Sequence, residues 1–337
     1  MSFASSRILF PSPGRARFEQ APAPVISVPE DVLIETEFSI ISAGTELACR
    51  AGIEGWAPLP FVPGYGSIGR IVELGSAVKN LSVGQRVFTF GKHSRHALTS
   101  VLTVPVPDGL DPAEAVFARM AAVAITSLRV SDAELGDTVA VIGLGLVGNF
   151  AAQLFALAGC EVIGIDPSPA RREQARACGI PHTLASGSDL AARVAALTGG
   201  RMCNTVVDAT GLSGVVIDTA PTLCAKQGEI VLLGSPRAAH TADITPFLGQ
   251  LHFCRPTATV KGALEWRYPV KEDGEGFTKH SFERNVRQIL HLLAQGKLKV
   301  GPLLTHRASP ADCQAIYEGL THQKDIYTGV VFDWSKA

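Results

Sequence analysis

The chain has 337 residues, and at roughly 100–200 residues per domain this length predicts two domains. With 30 Lys and Arg against 31 Asp and Glu, a formal net charge of −1, it carries no excess positive field to hold a polyanion, which excludes a nucleic-acid binder. A hydrophobic fraction of 46% with 18% charged residues belongs to a chain that buries a large core and excludes a disordered one.

Residues 1–20 carry Arg7, Arg15 and Arg17 and are interrupted by Pro11 and Pro13. They hold no continuous apolar run and do not read as a secretory signal. Residues 25–110 are rich in β-branched side chains between turn residues, as in 32–36, 69–74 and 85–90. This predicts an all-β, barrel-like portion. After Asp111-Pro112 an Ala-rich helix is expected over 113–129, followed by repeated strand–helix units. The strands are placed at 138–142, 161–165, 205–208, 229–233 and 257–261, and the helices at 146–158, 169–178, 189–197 and 215–223. Alternation at this spacing predicts a doubly wound parallel sheet. A polar loop over 266–278 precedes a helix with Phe282, Val286, Ile289, Leu290 and Leu293 on one face and Gly296 at its end. The last 40 residues read as short strands. The fold class is therefore α/β: a β-barrel domain formed by 1–118 and 263–337, with a doubly wound domain, 119–262, inserted into it.

Residues 138–160 contain no charged side chain over 23 positions, long enough to span a bilayer as a helix. Asn149 and Gln153, a β-like opening, three glycines where a strand would end, and the lack of a flanking basic cluster argue against a span. No membrane partner is expected. The seven cysteines (Cys49, Cys160, Cys178, Cys203, Cys224, Cys254 and Cys313) form no C-x-x-C pair. They read as reduced core residues, and the expected location is the cytoplasm.

The same run supplies the strongest motif. Gly143-Leu-Gly145-Leu146-Val147-Gly148 fits G-x-G-x-x-G, follows a strand, opens a helix, and has Asp166 at the end of the next strand, 23 residues after Gly143. In that context the pattern is a dinucleotide fingerprint. Gly143 permits the tight turn, Gly145 lets the backbone approach a pyrophosphate, and Gly148 lets helix and strand pack closely. The helix N-terminus supplies N–H groups and a positive dipole end, so an anionic cofactor needs no basic surface. Asp166 would accept from the adenosine ribose and repel a 2′-phosphate, favouring NAD over NADP. Arg171 and Arg172 are read either as phosphate ligands or as a solvated first helical turn. Thr210 and Gly234 end later strands, where the nicotinamide side would lie.

Ala43-Gly44-Thr45-Glu46, Pro63-Gly64-Tyr65-Gly66-Ser67-Ile68-Gly69, Val83-Gly84-Gln85-Arg86-Val87 and the Gly143 motif with Asp166 together resemble the medium-chain dehydrogenase/reductase family from about Val25 to Phe332. The resemblance implies a GroES-like β domain joined to a Rossmann domain, substrate in the cleft between them, and hydride transfer to or from a nicotinamide. Zinc-dependent members place Cys at the position of Ala43, His at that of Tyr65 and, in the polyol branch, Glu at about Arg119. All three are replaced here, and no Cys lies between Cys49 and Cys160 to form a structural zinc loop. No metal is expected. His93 and His96, two histidines without a third ligand, read as surface or hydrogen-bonding residues.

Without a Lewis acid, the proton falls to other residues. Thr45 matches the family's hydroxyl relay position, Tyr65 stands where a ligand was and could donate to the substrate oxygen, and Glu46 and His96 are relay members or ordinary structural hydrogen-bonders. Arg119 either anchors an acidic substrate or pairs with a carboxylate. The motif forms look most like a zinc-free branch that includes bacteriochlorophyllide dehydrogenase-like proteins. The expected activity is NAD-dependent interconversion of a secondary alcohol and a ketone on a small sugar, polyol or similar hydroxylated molecule. Oxidation of a hydroxyethyl tetrapyrrole and a non-catalytic nucleotide-binding role are the alternatives. By the same resemblance the strand ending at Lys261 and Gly262 would pair across a homodimer.

Overall fold

The computed structural model describes residues 4–337; residues 1–3, part of the segment read above as lacking a signal, lie outside the described residues. The chain divides into two compact units. One comprises Met1–Arg119, Tyr268–Gly296 and Leu303–Ala337; the other comprises Met120–Arg267 and Lys297–Pro302. The seams of these units lie at Arg119/Met120 and Arg267/Tyr268, with Lys297–Pro302 in the second unit, where the sequence reading placed them at 118/119 and 262/263. Arg119 belongs to the first unit because its side chain packs on Gly66. The segment Lys297–Pro302 belongs to the second because the Lys299 N–H and C=O are both bonded by the Gln153 side-chain amide.

In the first unit β1 (Ala4–Leu9) and β2 (Arg17–Pro22) form an antiparallel hairpin. Then come β3 (Val32–Ile40), α1 (Ala43–Ala51), β4 (Ser67–Leu74), β5 (Arg86–Thr89), β6 (His96–Thr99), β7 (Thr103–Pro105) and α2 (Pro112–Ala115). The helix α3 (Ala118–Val130) leads out of it. The single helix expected over 113–129 is thus broken, with Phe117 and Arg119 making short bonds to the carbonyls three residues back instead of four. Neither the hairpin nor α1 was foreseen in the sequence.

The second unit is built from β8 (Thr138–Ile142), α4 (Leu146–Leu157), β9 (Glu161–Ile165), α5 (Pro169–Ala177), β10 (His182–Leu184), α6 (Leu190–Leu197) and β11 (Cys203–Asp208), then α7 (Ala220–Leu223), β12 (Cys224–Leu232), α8 (Thr245–His252) and β13 (Thr259–Gly262). Its six strands run parallel in the order β10-β9-β8-β11-β12-β13. Ala140 and Ile142 on β8, and Ile163 and Ile165 on β9, are spaced by two along their strands and join Val206 and Ile230 in one core. Each fully buried Ile or Val here contributes roughly 1.5–3 kcal/mol. The helix expected over 215–223 opens as a wide π turn, Val215–Thr219, because Pro221 has no N–H for the regular ladder. The strand β10 and the helix α8 were not read from the sequence.

The chain returns to the first unit through α9 (Phe282–Ala294), β14 (Leu304–Ala308), α10 (Cys313–His322) and β15 (Gly329–Asp333). The return is therefore not all strand: Cys313, Ile316, Tyr317 and Leu320 form the buried face of α10. β15 pairs in parallel with β14 and antiparallel with β3, in a sheet ordered β14-β15-β3-β4-β5-β7 with β6 also on β3. A core of Ile8, Phe10, Tyr317, Phe332 and Trp334 ties both ends of the chain together. No helix of the described residues is long and apolar enough to cross a membrane; 138–160 is a strand, a turn and a helix.

Candidate active site

The glycine turn after β8 has the three steric roles that its spacing demands. Gly143 sits at φ 91°, and a Cβ there would lie 2.9 Å from Thr210 Cγ2. Gly145 caps α4 with extended backbone and no side-chain cap, and a Cβ on it would meet nothing closer than Arg171 Nη1 at 4.0 Å. A Cβ on Gly148 would fall 1.8 Å from the Gly143 carbonyl oxygen. One glycine thus makes the bend, one leaves the backbone open, and one lets α4 close on the turn. Gly145, Leu146 and Val147 are half-buried between fully buried neighbours. Their peptide groups, at a helix N-terminus, suit a pyrophosphate. The residues present therefore fit a dinucleotide.

Asp166 directly follows β9 and is only 2% exposed. Its Oδ2 accepts from the Leu144 N–H at 2.8 Å and its Oδ1 from the Ser168 N–H at 2.8 Å. The carboxylate thereby fixes the glycine turn to the entrance of α5, a role no spacing rule announces. Each oxygen keeps further acceptor capacity. Arg171 Nη1 lies 3.8 Å from Asp166 Oδ2, whereas Arg172 folds back onto the carbonyls of Asp166 and Pro167. The two arginines, alike in sequence, have different surroundings.

Thr210 meets the turn, and Gly234 meets Gly211 beside it. Asp208, buried at the end of β11, accepts from the Thr210 N–H at 3.0 Å and also from the Thr210 hydroxyl and the Gly211 N–H. Burial pushes its carboxyl above the usual range even though those bonds oppose the shift. A Cβ on Gly234 would lie 2.2 Å from the Gly211 N. The ends of β8, β11 and β12 are thus interlocked at the point where strand order reverses, the place for ligands in such sheets.

In the first unit the expected proton-handling residues occupy different surroundings. Thr45 lies in the first turn of α1, partly exposed, and Glu46 beside it is buried. Glu46 Oε1 accepts from the Ser42 N–H at 2.8 Å; Oε2 lies 3.0 Å from His93 Nε2 and accepts from the Tyr317 hydroxyl. The Tyr317 phenol is pushed well above its ordinary value by burial first and by Glu46 second. His93 Nδ1 meets Ser39 Oγ at 2.7 Å, and Ser39 also accepts from Trp334 Nε1 at 2.9 Å. Glu46 is thus bonded to the backbone of its own helix start, to His93 and to Tyr317. His96 bonds elsewhere, its Nδ1 3.0 Å from Ser5 Oγ, and burial lowers its pKa. Glu46 and His96, both expected as relay members, thus have different hydrogen-bond partners.

Tyr65 sits in a turn held on both sides by buried groups. A Cβ on Gly64, at φ 92°, would lie 2.5 Å from His93 N, and one on Gly66 would lie 2.5 Å from Arg119 Cγ. Arg119 Nε donates to the Tyr65 carbonyl at 3.0 Å, and its guanidinium carbon stands 4.4 Å from the Tyr65 ring centre, 5.4 Å from that of Phe90 and 5.7 Å from that of Phe282. Arg119 is 0% exposed. His93, read from the sequence as a surface or hydrogen-bonding residue, is buried and hydrogen-bonded, whereas Tyr317 and the aromatic surroundings of Arg119 escaped sequence reading because their partners are remote; Tyr317 is 271 positions from Glu46.

The positions at which zinc-dependent members carry ligands hold other groups here. Ala43 offers a methyl group, Tyr65 is covered by a cation, Glu46 is engaged by His93 and Tyr317, and no group of three or more His, Cys, Asp or Glu suited to a metal occurs among the described residues.

Residues 28–132 match the alcohol dehydrogenase GroES-like domain family, and residues 147–265 match the zinc-binding dehydrogenase family. The chain is 26% identical to L-galactonate-5-dehydrogenase of Escherichia coli strain K12 over 87% of its own length and 89% of that protein. It is 25% identical to sorbitol dehydrogenase 1 of Saccharomyces cerevisiae over 95% of each. The crystal structure of galactitol-1-phosphate dehydrogenase from Escherichia coli superposes with a TM-score of 0.83 at 18% identity, covering 97% of this chain and 99% of that one, a likeness of fold. A GroES-like unit, a Rossmann unit with an intact glycine turn, and these matches along both units make the chain a member of the zinc-type medium-chain dehydrogenase/reductase superfamily and an oxidoreductase acting on CH–OH groups.

Proposed function

We propose that this oxidoreductase uses NAD and no zinc to interconvert a secondary alcohol and a ketone on a sugar, polyol or similar polar hydroxylated small molecule. The observation that carries the reading is the glycine turn, open at Gly145 and closed at Gly148, in a chain whose relatives are named for a sugar acid and a polyol. The dinucleotide, when bound, supplies the hydride acceptor or donor. Leu146, Val147 and Gly148 offer peptide N–H groups to its pyrophosphate, and Thr210 and Gly234 line its nicotinamide side. Asp166 supports NAD over NADP: its carboxylate accepts ribose hydroxyls with its remaining lone pairs and repels a 2′-phosphate. Arg172 is turned onto the carbonyls of Asp166 and Pro167, and Arg171 stands by the Asp166 carboxylate.

Thr45 and Tyr65 handle the hydroxyl proton in this reading. The Thr45 hydroxyl holds the substrate oxygen, and the Tyr65 phenol donates to that oxygen in the reductive direction and receives the proton back in the oxidative one. Glu46 supports α1 from beneath and takes no proton, and His96 is left out. The enzyme is proposed to be a homodimer joined along β13, which in the described sheet pairs on one side only, with β12, and is followed by exposed Leu264 and Trp266. All seven cysteines are free, which supports a reducing, cytoplasmic setting.

A panel of polyols, sugar acids, glycosides and hydroxyalkyl compounds, offered with NAD and with NADP, tests the reading through the absorbance of reduced nicotinamide. Turnover with NAD that survives chelators, on protein with no stoichiometric zinc, is expected. One zinc per chain, or activity lost to a chelator, overturns the metal-free assignment; turnover with NADP alone overturns the cofactor assignment. Tight cofactor binding without turnover on any compound would make the chain a nucleotide-binding protein.

A further inference from the structure

A buried guanidinium is costly to desolvate and needs compensating contacts. Arg119 is wholly buried, and two of the contacts described for it fall on one residue, Tyr65. Its Nε–H holds the Tyr65 backbone at the carbonyl, and its planar face holds the ring at 4.4 Å. Phe90 and Phe282, themselves edge to face at 5.2 Å, stand against the same guanidinium. The glycine on the C-terminal side of Tyr65 has room for nothing but hydrogen because the Arg119 stem fills the space, and the glycine on its N-terminal side is closed by His93 in the same way. His93 in turn meets Glu46, the neighbour of Thr45. The turn carrying Tyr65 is thus clamped between Arg119 and His93, and the clamp reaches the helix carrying Thr45.

We infer that Arg119 is a positioning residue for Tyr65: it fixes the backbone and the ring plane of that tyrosine at once, so that the phenol points in one direction. This combination of one N–H bond and one face contact needs a guanidinium. Lysine keeps the charge and most of the stem but has neither an Nε–H in that place nor a planar face. Methionine keeps the bulk and loses both. The inference deepens the proposed role of Tyr65 and rests on it for its catalytic consequence, but not for its structural content.

The chain has four tyrosines, Tyr65, Tyr268, Tyr317 and Tyr327, so fluorotyrosine labelling gives a fluorine spectrum of four signals, with that of Tyr65 assigned by its loss in Tyr65→Phe. In Arg119→Met the Tyr65 signal should move and broaden or split while the other three stay in place and report an intact fold; in Arg119→Lys it should move less. With the substrate identified in the panel, Arg119→Met should lower kcat by about a hundredfold with little change in KM. Arg119→Lys should restore part of that loss, and Arg119→Met should add almost nothing in a Tyr65→Phe background. A Tyr65 signal unchanged in both Arg119 variants overturns the inference, as does a loss of activity of the same size with and without the Tyr65 hydroxyl. A fully active Tyr65→Phe with a displaced Tyr65 signal in Arg119→Met overturns the proton role of Tyr65 and leaves the positioning role standing. If Arg119→Met does not fold, the Arg119→Lys spectrum decides alone.

Discussion

One methyl group separates the roles of two glycines in the same turn. Gly148→Ala puts a carbon 1.8 Å from the Gly143 carbonyl, so the turn must open. We expect a stability loss of about 1–3 kcal/mol by urea unfolding, together with at least tenfold weaker NAD binding by fluorescence titration. Gly145→Ala meets only Arg171 Nη1 at 4.0 Å; it should keep its stability and lose affinity, because the methyl stands where a pyrophosphate would approach. Equal stability loss in both, or unchanged affinity in both, would contradict these assignments. At this scale the sequence was most readable where residue type and spacing are themselves the constraint, as with Gly143, Gly145 and Gly148. It was least readable where a rotamer decides: nothing in the spacing tells that Asp166 turns inward to the Leu144 N–H, or that adjacent Arg171 and Arg172 have different surroundings.

Helix α1 shows how an element can be missed though its residues are singled out. Ala43-Gly44-Thr45-Glu46 was read as a motif within a β portion, yet the segment is Ala-rich and Glu46 reaches back to the Ser42 N–H one position later than a capping box would. The same carboxylate joins α1 to α10 through Tyr317 and to the loop before β6 through His93. Glu46→Ala leaves several buried polar groups without their acceptor, and we expect a loss of about 3–5 kcal/mol in denaturant unfolding. Glu46→Gln retains an acceptor oxygen and should lose clearly less; equal losses would show that the acceptor is not what matters. The strands β8, β9, β11 and β12 were legible because parallel strands buried on both faces read as unbroken apolar runs. By contrast α10 was obscured by its short length and its place between two strands, although its buried positions follow helical spacing.

At the scale of the molecule, the proposed homodimer predicts sedimentation at twice the chain mass of 35.5 kDa, and Leu264→Asp, which puts a charge beside the open edge of β13, should shift the mass to that of one chain. A wild-type monomer at micromolar concentration would overturn the dimer. The interrupted organisation of the chain was legible as a change of texture from β-rich to alternating and back. Its seams were not, because they depend on two side chains, Arg119 and Gln153, whose partners lie far away in sequence.

The antiparallel pairing of β3 with β15 places Ile40 opposite Val331, 291 positions later in the chain. During synthesis at 5–20 residues per second this strand edge waits about 15 to 60 s for its neighbour. The parallel sheet of the second unit, whose strands emerge consecutively, can assemble in that interval. A nascent chain of this protein therefore carries a parallel sheet able to assemble while β3 still lacks its β15 neighbour, and that strand edge must be shielded until β15 emerges.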